Sequence, residues 1–309
     1  VVGVTGSVGK TSTRDLVAAA AGSRRVLRTE GNLNNEIGLP ATLLAADRGQ
    51  DVVVLEMGMR GRGEIAWLSR IARPDVAVIT RIGSSHIERL GSLDAIFEAK
   101  WEILEGLQDG GTLVVSMDDP LLSRAARRLA AAGGRTPDGR HVSLVGVRTE
   151  NAGSDWEDFP VLRAHEIRPR DGGVSFLVVV PGEEPLPAWV PLPSPHLVPN
   201  ALAALAVAIR LGVDPAAAVA GLAAYVPTGN RLRVLPVGDM TLLDDSYNAS
   251  PESMVAAFAA LAALPSPGRR IAALGGMLEL GEFSGPLHRV TGAAAAARSI
   301  DRLYCCGPW

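Results

Sequence analysis

The sequence predicts an α/β protein with three parts: a doubly wound, mostly parallel sheet that contains a phosphate-binding loop, a small antiparallel β subdomain, and a partial Rossmann-like domain. Three observations support this prediction. Apolar strand-like runs alternate with helical patterns over residues 1–132, a glycine-containing loop directly follows the first run, and a shorter alternation begins after residue 230. The chain has 309 residues, 47% of them hydrophobic, which is enough for the cores of about two domains.

The first alternation consists of strands that are apolar on both faces, each followed by a helix, as is typical of parallel sheets. Ligands bind such sheets at the carboxyl ends of the strands. The predicted strands are Val1–Val4, Asp51–Glu56, Asp75–Thr80 and Thr112–Ser116; the helices that follow them begin at Lys10 and span Gly63–Ile71, Leu93–Leu107 and Pro120–Ala132.

Between about residues 135 and 195 the pattern changes to short β-rich pieces without intervening helices, which predicts the antiparallel subdomain. Two Ala-rich helices follow, and Val226–Asn230 is predicted to be a hinge. We therefore expect an ATP-binding domain over residues 1–227 and a second, partial domain over residues 228–309. The β-rich pieces are His141–Val147, Val161–Ile167, Val174–Val180 and Trp189–Leu192, and the Ala-rich helices are Pro199–Leu211 and Pro215–Tyr225. The predicted elements of the second domain are strands Leu232–Val237, Thr241–Asp245, Arg270–Leu274 and Arg302–Cys306 and helices Pro251–Leu264 and Ser284–Arg298.

Composition excludes several classes of partner. The net charge of −3 leaves no strongly basic face for nucleic acid, and no apolar run reaches the length of a membrane helix. The first residues also lack a signal peptide, so we expect a cytoplasmic protein, and we expect it to be a monomer. The adjacent Cys305 and Cys306 are interpreted as buried strand residues instead of a disulfide or metal site.

Arginine has replaced lysine almost everywhere. Of the 30 basic residues, only Lys10 and Lys100 are lysines. Such a bias spares lysine where a compact ammonium that can lose its proton cannot be exchanged for a guanidinium. Chance survival of two lysines is the alternative; otherwise both residues are functional.

Lys10 lies in a predicted phosphate-binding loop between the first strand and the first helix. Backbone N–H groups of such a loop and of the helix start can surround phosphates, while the lysine reaches the β- and γ-oxygens and the next hydroxyl binds Mg²⁺. The strict motif has glycine where Val4 stands, and a tight turn with an exposed lysine is the alternative. The predicted loop residues are Thr5, Gly6, Ser7, Val8, Gly9, Lys10, Thr11 and Ser12.

Other polar residues follow predicted strands or begin predicted helices. Glu56 ends a strand and could bind Mg²⁺, or it could be an ordinary loop acid; His86 follows the next strand and could equally be a structural histidine. The asparagines of Gly31–Pro40 could cap a helix or contact a ligand. The same alternative applies to Asn200 and to the Asp244–Pro251 segment.

Several of these segments resemble the Mur ligase family. They are T-G-x-x-G-K-T at residues 5–11, G-N-x-N-N-x-I-G-x-P at 31–40, A-K-x-E-I at 99–103 and D-D-x-Y-N-A at 244–249. The resemblance runs across nearly the whole chain and favours the MurF-type branch. One departure is Leu197, which stands where the family has asparagine.

The resemblance implies roles for individual residues. Lys10, His86 and a Lys100 carbamylated by CO₂ would be catalytic, and Mg²⁺ would be bound by Thr11, Glu56, His86 and Lys100. ATP would contact residues 5–12 together with Asn200, Arg231, Asp245 and Asn248, and the substrate would contact Asn32 and Asn35.

The resemblance also implies an activity. An ATP-dependent ligase of this type joins D-Ala-D-Ala to UDP-MurNAc-tripeptide through an acyl phosphate and releases ADP and phosphate. Two alternatives stay open: a MurE-type or folylpolyglutamate-type ligase, and a nucleotide-binding module without turnover. We further expect the chain to lack the family's N-terminal UDP-binding domain and the end of its C-terminal domain.

Overall fold

The structure is a computed structural model that describes residues 1–149, 158–192, 194–265 and 268–308. Part of the predicted β-rich segment, residues 150–157 and 193, therefore lies outside the described residues. Within the described ranges the chain forms one large sheet and two small ones. The strands are β1 Val2–Thr5, β2 Val26–Arg28, β3 Val52–Glu56, β4 Val76–Ile79, β5 Gly111–Ser116, β6 Val142–Thr149, β7 Val161–Arg170, β8 Gly173–Val179, β9 Leu186–Val190, β10 Arg233–Val237, β11 Met240–Asp244, β12 Ile271–Gly275 and β13 Arg302–Cys306.

The helices follow the strands as the alternation predicts. They are α1 Lys10–Ala20, α2 Gly38–Leu44, α3 Glu64–Ala72, α4 Ile87–Leu90, α5 Leu93–Trp101, α6 Pro120–Ala131, α7 Val198–Arg210, α8 Pro215–Gly221, α9 Pro251–Ala263 and α10 Ser284–Ala296. Local chemistry explains several helix starts. Asp119 caps α6 in front of Pro120, and Ser250 forms a capping box with Ser253 in front of Pro251 of α9.

The large sheet has nine strands in the order β2-β3-β1-β4-β5-β6-β7-β8-β9. All pairs from β2 to β7 are parallel, and the pairs β7–β8 and β8–β9 are antiparallel. The mostly parallel sheet is confirmed. The antiparallel strands are a continuation of it, so the β-rich segment does not form a separate sheet, and its first strand, β6, pairs parallel with β5.

Helices cover both faces of the large sheet. Because successive strand residues point to opposite sides, the strands contribute side chains to two cores. Val2, Val4 and the apolar residues of α1, α7 and α8 form one core, while Leu55, Ile79 and the apolar residues of α3, α5 and α6 form the other. Apolar residues of α9 and α10, such as Phe258, join the second core. The two parts of the chain therefore share a packed interface.

The structure differs from the prediction mainly at short elements. Strand β2 and helix α4, of three and four residues, were not predicted, whereas α2, of seven residues, is the helix that the loop at residues 31–40 was expected to open. Helix α5 ends at Trp101 and continues as a 3-10 helix, whereas the sequence predicted one helix to Leu107. No helix among the described residues is long and apolar enough to cross a membrane.

After residue 230 the sheets are small. Strands β10 and β11 form an antiparallel pair, and β12 and β13 form a parallel pair. The prediction that Cys305 and Cys306 are buried is wrong. Both are exposed because β13 is covered on neither face by described elements and pairs only with β12.

Candidate active site

The phosphate-binding loop connects β1 to α1 at the carboxyl edge of the large sheet. Two glycines are required by its path. Gly6 has φ +147°, and a Cβ there would lie 1.9 Å from the hydroxyl of Thr80. Gly9 has φ +89°, and a Cβ there would lie 2.9 Å from the side-chain amide of Asn200. Asn200, predicted to contact the nucleotide, therefore lies directly against the loop.

Lys10 begins α1 and folds back over the loop. Its Nζ donates a hydrogen bond to the carbonyl oxygen of Gly6 at 2.8 Å. Loss of hydration lowers the pKa of Lys10, and the nearby charge of Glu56 opposes this effect. The ammonium group thus lies within the loop, where a phosphate would be received.

Glu56 ends β3 and is only 2% exposed. The Thr11 hydroxyl donates to its Oε2 at 2.9 Å, and the Asn34 side-chain amide donates to its Oε1 at 3.0 Å. Both carboxylate oxygens therefore have fixed directions. Sequence reasoning found Thr11 and Glu56 but missed Asn34, although Asn34 belongs to the same asparagine-rich segment as the two residues that were selected.

Lys100 lies on α5 and is 2% exposed. Burial holds the pKa of Lys100 well below its usual range, and the positive charge of Lys10 lowers it further. Among the described residues no carboxylate forms an ion pair with Lys100. This amine is therefore kept in an environment that favours its neutral form.

His86 immediately precedes α4 and has a left-handed backbone, with φ +68°. Its Nδ1 contacts the carboxylate of Glu279, which lies after β12. Burial lowers the pKa of His86, while Glu279 acts in the opposite direction. The histidine therefore joins the two parts of the chain.

The residues predicted to reach the nucleotide from the second part lie on the segments around β10 and β11. The guanidinium of Arg231 lies 4.0 Å above the ring of Tyr247, a cation–π arrangement. Asp245 accepts a hydrogen bond from the Leu232 N–H at 3.0 Å, and burial raises its pKa to about 6. Asn248 is exposed, and its side-chain oxygen accepts from the next backbone N–H at 2.9 Å.

Asn32 and Asn35 were predicted to contact substrate. Asn35 is exposed, and its side-chain oxygen accepts from the Gly38 N–H at 2.9 Å, so this atom caps α2. Asn32 is exposed. Both retain free surface on the same side as Glu56, since all three line one cavity.

This cavity has a volume of about 1350 Å³ and is lined by almost all the predicted site residues. Thr5 and Gly6 are the exceptions among them. Thr5 is fully buried and its hydroxyl donates to the Met57 carbonyl at 3.0 Å, so its side chain holds the sheet edge instead of contacting a nucleotide. The lining residues from the prediction are Ser7, Val8, Gly9, Lys10, Thr11, Ser12, Asn32, Asn35, Glu56, His86, Lys100, Asn200, Arg231, Asp245 and Asn248; the departing residue Leu197 also lines it.

A buried charge network connects α1 to the predicted hinge and was not predicted. Arg14 is 3% exposed, pairs with Asp15 at 2.8 Å and donates to the Thr228 hydroxyl at 3.1 Å. It also lies 3.8 Å from Glu56, and the Thr228 hydroxyl contacts the Asp15 carboxylate. The predicted hinge is thus hydrogen-bonded, through Thr228, to the helix that begins at the phosphate-binding loop.

The oxygen donors at the cavity suit Mg²⁺ bound to nucleotide phosphates. The hydroxyl of Thr11 and the carboxylate of Glu56 converge at 2.9 Å, and His86 and Lys100 line the same cavity. No group of three or more His, Cys, Asp or Glu side chains in the described part of the chain is arranged so that it could hold a metal ion by itself. A cation that keeps phosphate and water ligands needs only one or two protein carboxylates, so the donor set fits it.

Comparison with known proteins identifies the family. The Mur ligase middle domain family matches residues 4–208, and the Mur ligase, glutamate ligase domain family matches residues 230–309. The chain is 39% identical over 309 residues to UDP-N-acetylmuramoyl-tripeptide–D-alanyl-D-alanine ligase of Bacillus subtilis (strain 168), which covers 99% of this chain and 62% of that protein. It spans less than two thirds of the length of the curated relatives that it matches first.

Solved structures agree with the sequence comparison. The structure of MurF from Acinetobacter baumannii matches with a TM-score of 0.87 at 29% identity, over 99% of this chain and 63% of that one. MurF from Thermotoga maritima in complex with ADP matches with a TM-score of 0.78 at 29% identity, over 98% of this chain and 69% of that one. The resemblance seen in the sequence motifs is thus confirmed, and the chain belongs to the Mur ligase family.

Proposed function

We propose that this chain is the ATP-binding catalytic part of a ligase that joins D-Ala-D-Ala to UDP-MurNAc-tripeptide. The observation that carries the proposal is the arrangement of one cavity, in which Lys10, Glu56 and the buried Lys100 face the same space. The identity to ligases of that name supports the choice of substrates. The similarity to a MurF that was solved with ADP supports nucleotide binding.

In the proposed reaction, an oxygen of the tripeptide's terminal carboxylate attacks the γ-phosphorus of ATP, and ADP leaves. The amine of D-Ala-D-Ala then attacks the acyl carbon and loses a proton, and the C–O bond to phosphate breaks. Backbone N–H groups of residues 6–12 and the Lys10 ammonium hold the phosphates and offset charge on the transferred group. The protein therefore mainly positions the reactants and neutralises charge on the phosphates.

We assign Thr11, Glu56, His86 and Lys100 as the residues that would hold Mg²⁺. Bound there, the cation would stabilise the charge that develops on the phosphoryl group. Asn34 fixes one oxygen of Glu56 and Thr11 fixes the other, which supports this role for the carboxylate.

Lys100 is proposed to carry a carbamate. Its neutral Nζ attacks the carbon of CO₂, an N–C bond forms as one C–O π bond opens, and one N–H proton leaves to solvent, so that a neutral amine becomes an anionic oxygen donor. The lowered pKa of Lys100 supports this step, because only the neutral amine has a free electron pair. A guanidinium cannot substitute, which explains why lysine persists in a chain that otherwise uses arginine.

The remaining assignments follow from the same proposal. Arg231, Asp245 and Asn248 contact the nucleotide from the second part, and Asn32 and Asn35 contact the substrate. We divide the chain into domains at residues 1–227 and 228–309, since the contacts of Thr228 with α1 suit a hinge that moves with the nucleotide. The protein acts as a cytoplasmic monomer.

The direct test uses the full-length product of the gene that encodes this chain. It is supplied with ATP and UDP-MurNAc-tripeptide, and ADP release is measured with and without D-Ala-D-Ala. Dipeptide-dependent ADP release and a tripeptide product extended by D-Ala-D-Ala are expected. A single amino acid in place of the dipeptide serves as the control, and ADP release that depends on it alone would point to a different ligase of the family.

A further inference from the structure

The segment that carries His86 is bonded to the phosphate-binding loop on one side. We call residues 81–86, between β4 and α4, the His86 loop. The Ser7 N–H donates to the Arg81 carbonyl at 2.8 Å, and the Ser7 hydroxyl donates to the Gly83 carbonyl at 3.0 Å. The Gly83 N–H in turn donates to the Ser7 hydroxyl at 2.9 Å. The position of the His86 loop is therefore tied to that of the phosphates' binding site.

Two glutamates of the second part hold the same loop from the other side. Glu252, in the first turn of α9, accepts from the Ser84 N–H at 2.9 Å and from the Ser84 hydroxyl at 3.2 Å. Glu279 contacts His86 Nδ1 through its carboxylate and accepts from the Glu88 N–H through its carbonyl at 3.2 Å. Both contacts join residues more than 160 positions apart, at separations of 168 and 193.

The His86–Glu279 contact is specified by the backbone of both partners. His86 has φ +68° and Glu279 has φ +59°, and both therefore adopt the left-handed region that residues other than glycine avoid. Such conformations persist where surrounding contacts determine them. Both side chains are also partly shielded, with 26% and 41% of their surfaces exposed.

A carboxylate on Nδ1 has a defined effect on an imidazole. It selects the tautomer that carries hydrogen on Nδ1 and restrains the ring, which leaves the lone pair of Nε2 available to a cation. Carboxylates in this position are common partners of metal-binding histidines. Here the carboxylate comes from the second part of the chain, whereas all four assigned cation ligands come from the first.

We propose that Glu279 is a positioning residue that orients His86 for the divalent cation, and that Glu252 holds the adjacent backbone, so that docking of the second part completes the cation site. The inference rests on the proposed function, because it requires a cation on His86. Docking of the second part is thereby coupled to metal binding. The phosphoryl-transfer site reaches full metal affinity only when Glu252 and Glu279 both contact the His86 loop.

The test measures Mn²⁺ binding to the 309-residue chain in the presence of ADP, by electron paramagnetic resonance. E279A is expected to weaken Mn²⁺ binding by about 10–100-fold, the usual cost of removing a carboxylate that orients a metal-binding histidine. E252A is expected to weaken it in the same direction but less, since Glu252 acts only through the loop backbone. E282A is the matched control, because Glu282 is exposed in the same segment, and it should bind Mn²⁺ as the unsubstituted chain does.

A double-mutant comparison separates positioning from general destabilisation. If Glu279 acts through His86, E279A causes no further loss of Mn²⁺ affinity in a chain that already carries H86A. Full Mn²⁺ affinity in E279A, or equal losses in both backgrounds, overturns the positioning role, and full affinity in E252A overturns the coupling to docking. Absence of Mn²⁺·ADP binding in the unsubstituted chain instead overturns the proposed function, and the inference with it. Binding of ADP without metal and the circular dichroism spectrum verify that each variant is folded.

Discussion

The two parts of the chain present their functional groups in different ways. In the first part, all four residues of β1 are buried, and Glu56, Lys100 and Arg14 are each at most 3% exposed. In the second part, all five residues of β13 are exposed, and Tyr247 is 49% exposed. The groups of the first part are thus fixed inside a packed sheet, whereas those of the second approach the cavity from a thinly covered surface.

Under the proposed function, this difference separates the tasks of the two parts. The Glu56 carboxylate, proposed as a cation ligand, is held in one orientation by two hydrogen bonds within the first part. The groups of the second part reach the first through polar contacts, including Glu252–Ser84 and Thr228–Arg14, beside the apolar interface that α9 and α10 form with the second core.

The largest expected effect concerns the buried network behind the loop. Arg14→Met removes the partner of Asp15, whose side chain is only 1% exposed, and leaves that carboxylate with the partly exposed Arg28. Removing one member of a buried pair costs about 3–5 kcal/mol in the free energy of unfolding. Urea denaturation measures this loss. Arg25→Met, which breaks the exposed pair with Asp51, is the control and should cost less than about 1 kcal/mol.

Lys100→Arg should reduce turnover by about 100–1000-fold, the typical cost of losing one charge-stabilising group in an active site. The guanidinium remains cationic and cannot take up CO₂. Turnover is measured as dipeptide-dependent ADP release, and labelled bicarbonate reports the carbamate directly. Retained turnover in this variant would remove the carbamate from the mechanism, while a lost thermal transition would show that the larger head group had disrupted the core.

Asn34→Ala should weaken cation affinity by about 10-fold, because one oxygen of Glu56 loses its directing hydrogen bond. The matched control is Asn32→Ala, two residues away and exposed. Titration of Mn²⁺ into each variant with ADP present compares them. Equal affinities in the two variants would show that Thr11 alone is sufficient to orient Glu56.

The smallest effect is a pH dependence in the second part. Burial raises the pKa of Asp245 from 3.8 to about 6, so the folded chain binds more protons than the unfolded chain between these values. The stabilising contribution of the protonated group is therefore present below about pH 4 and is lost as the pH rises through about 6. Asp245→Asn should remove this dependence.

Thermal unfolding of the unsubstituted chain and of the Asp245→Asn variant between about pH 4 and pH 7 tests this pH dependence. The difference between their midpoint temperatures is measured at each pH. The midpoint temperature of the Asn variant, relative to that of the unsubstituted chain, should increase as the pH rises. Asp239→Asn, at an exposed position of the same hairpin, is the control. A difference that does not vary with pH would show that Asp245 does not titrate differently in the folded chain.

Much of the first part could be predicted because its signals are local. The phosphate-binding loop is one continuous stretch, the strands are continuous apolar runs, and Lys10 and Lys100 stand out by composition. Asn34 was missed because Asn32, Asn34 and Asn35 are chemically identical in the sequence. Only the path of the segment after β2 decides which of them reaches Glu56 and which caps α2.

The long-range contacts could not be predicted. No local pattern relates Glu279 to His86 or Thr228 to Arg14, since each pair is separated by more than 190 residues. The exposure of Cys305 and Cys306 was likewise misjudged, because apolar character alone does not say whether another element covers a strand.

The sequence by itself therefore determined the parallel α/β architecture, the loop that would bind phosphates and the two lysines of the site, because periodicity and residue chemistry act over short stretches of chain. Only the tertiary structure decided which polar side chains share the cavity, how the antiparallel strands extend the sheet and which carboxylates hold the His86 loop. These depend on how strand order and helix packing bring distant residues together. The physical reason is that hydrogen bonds and ion pairs act over a few ångströms in space, whatever the separation along the chain.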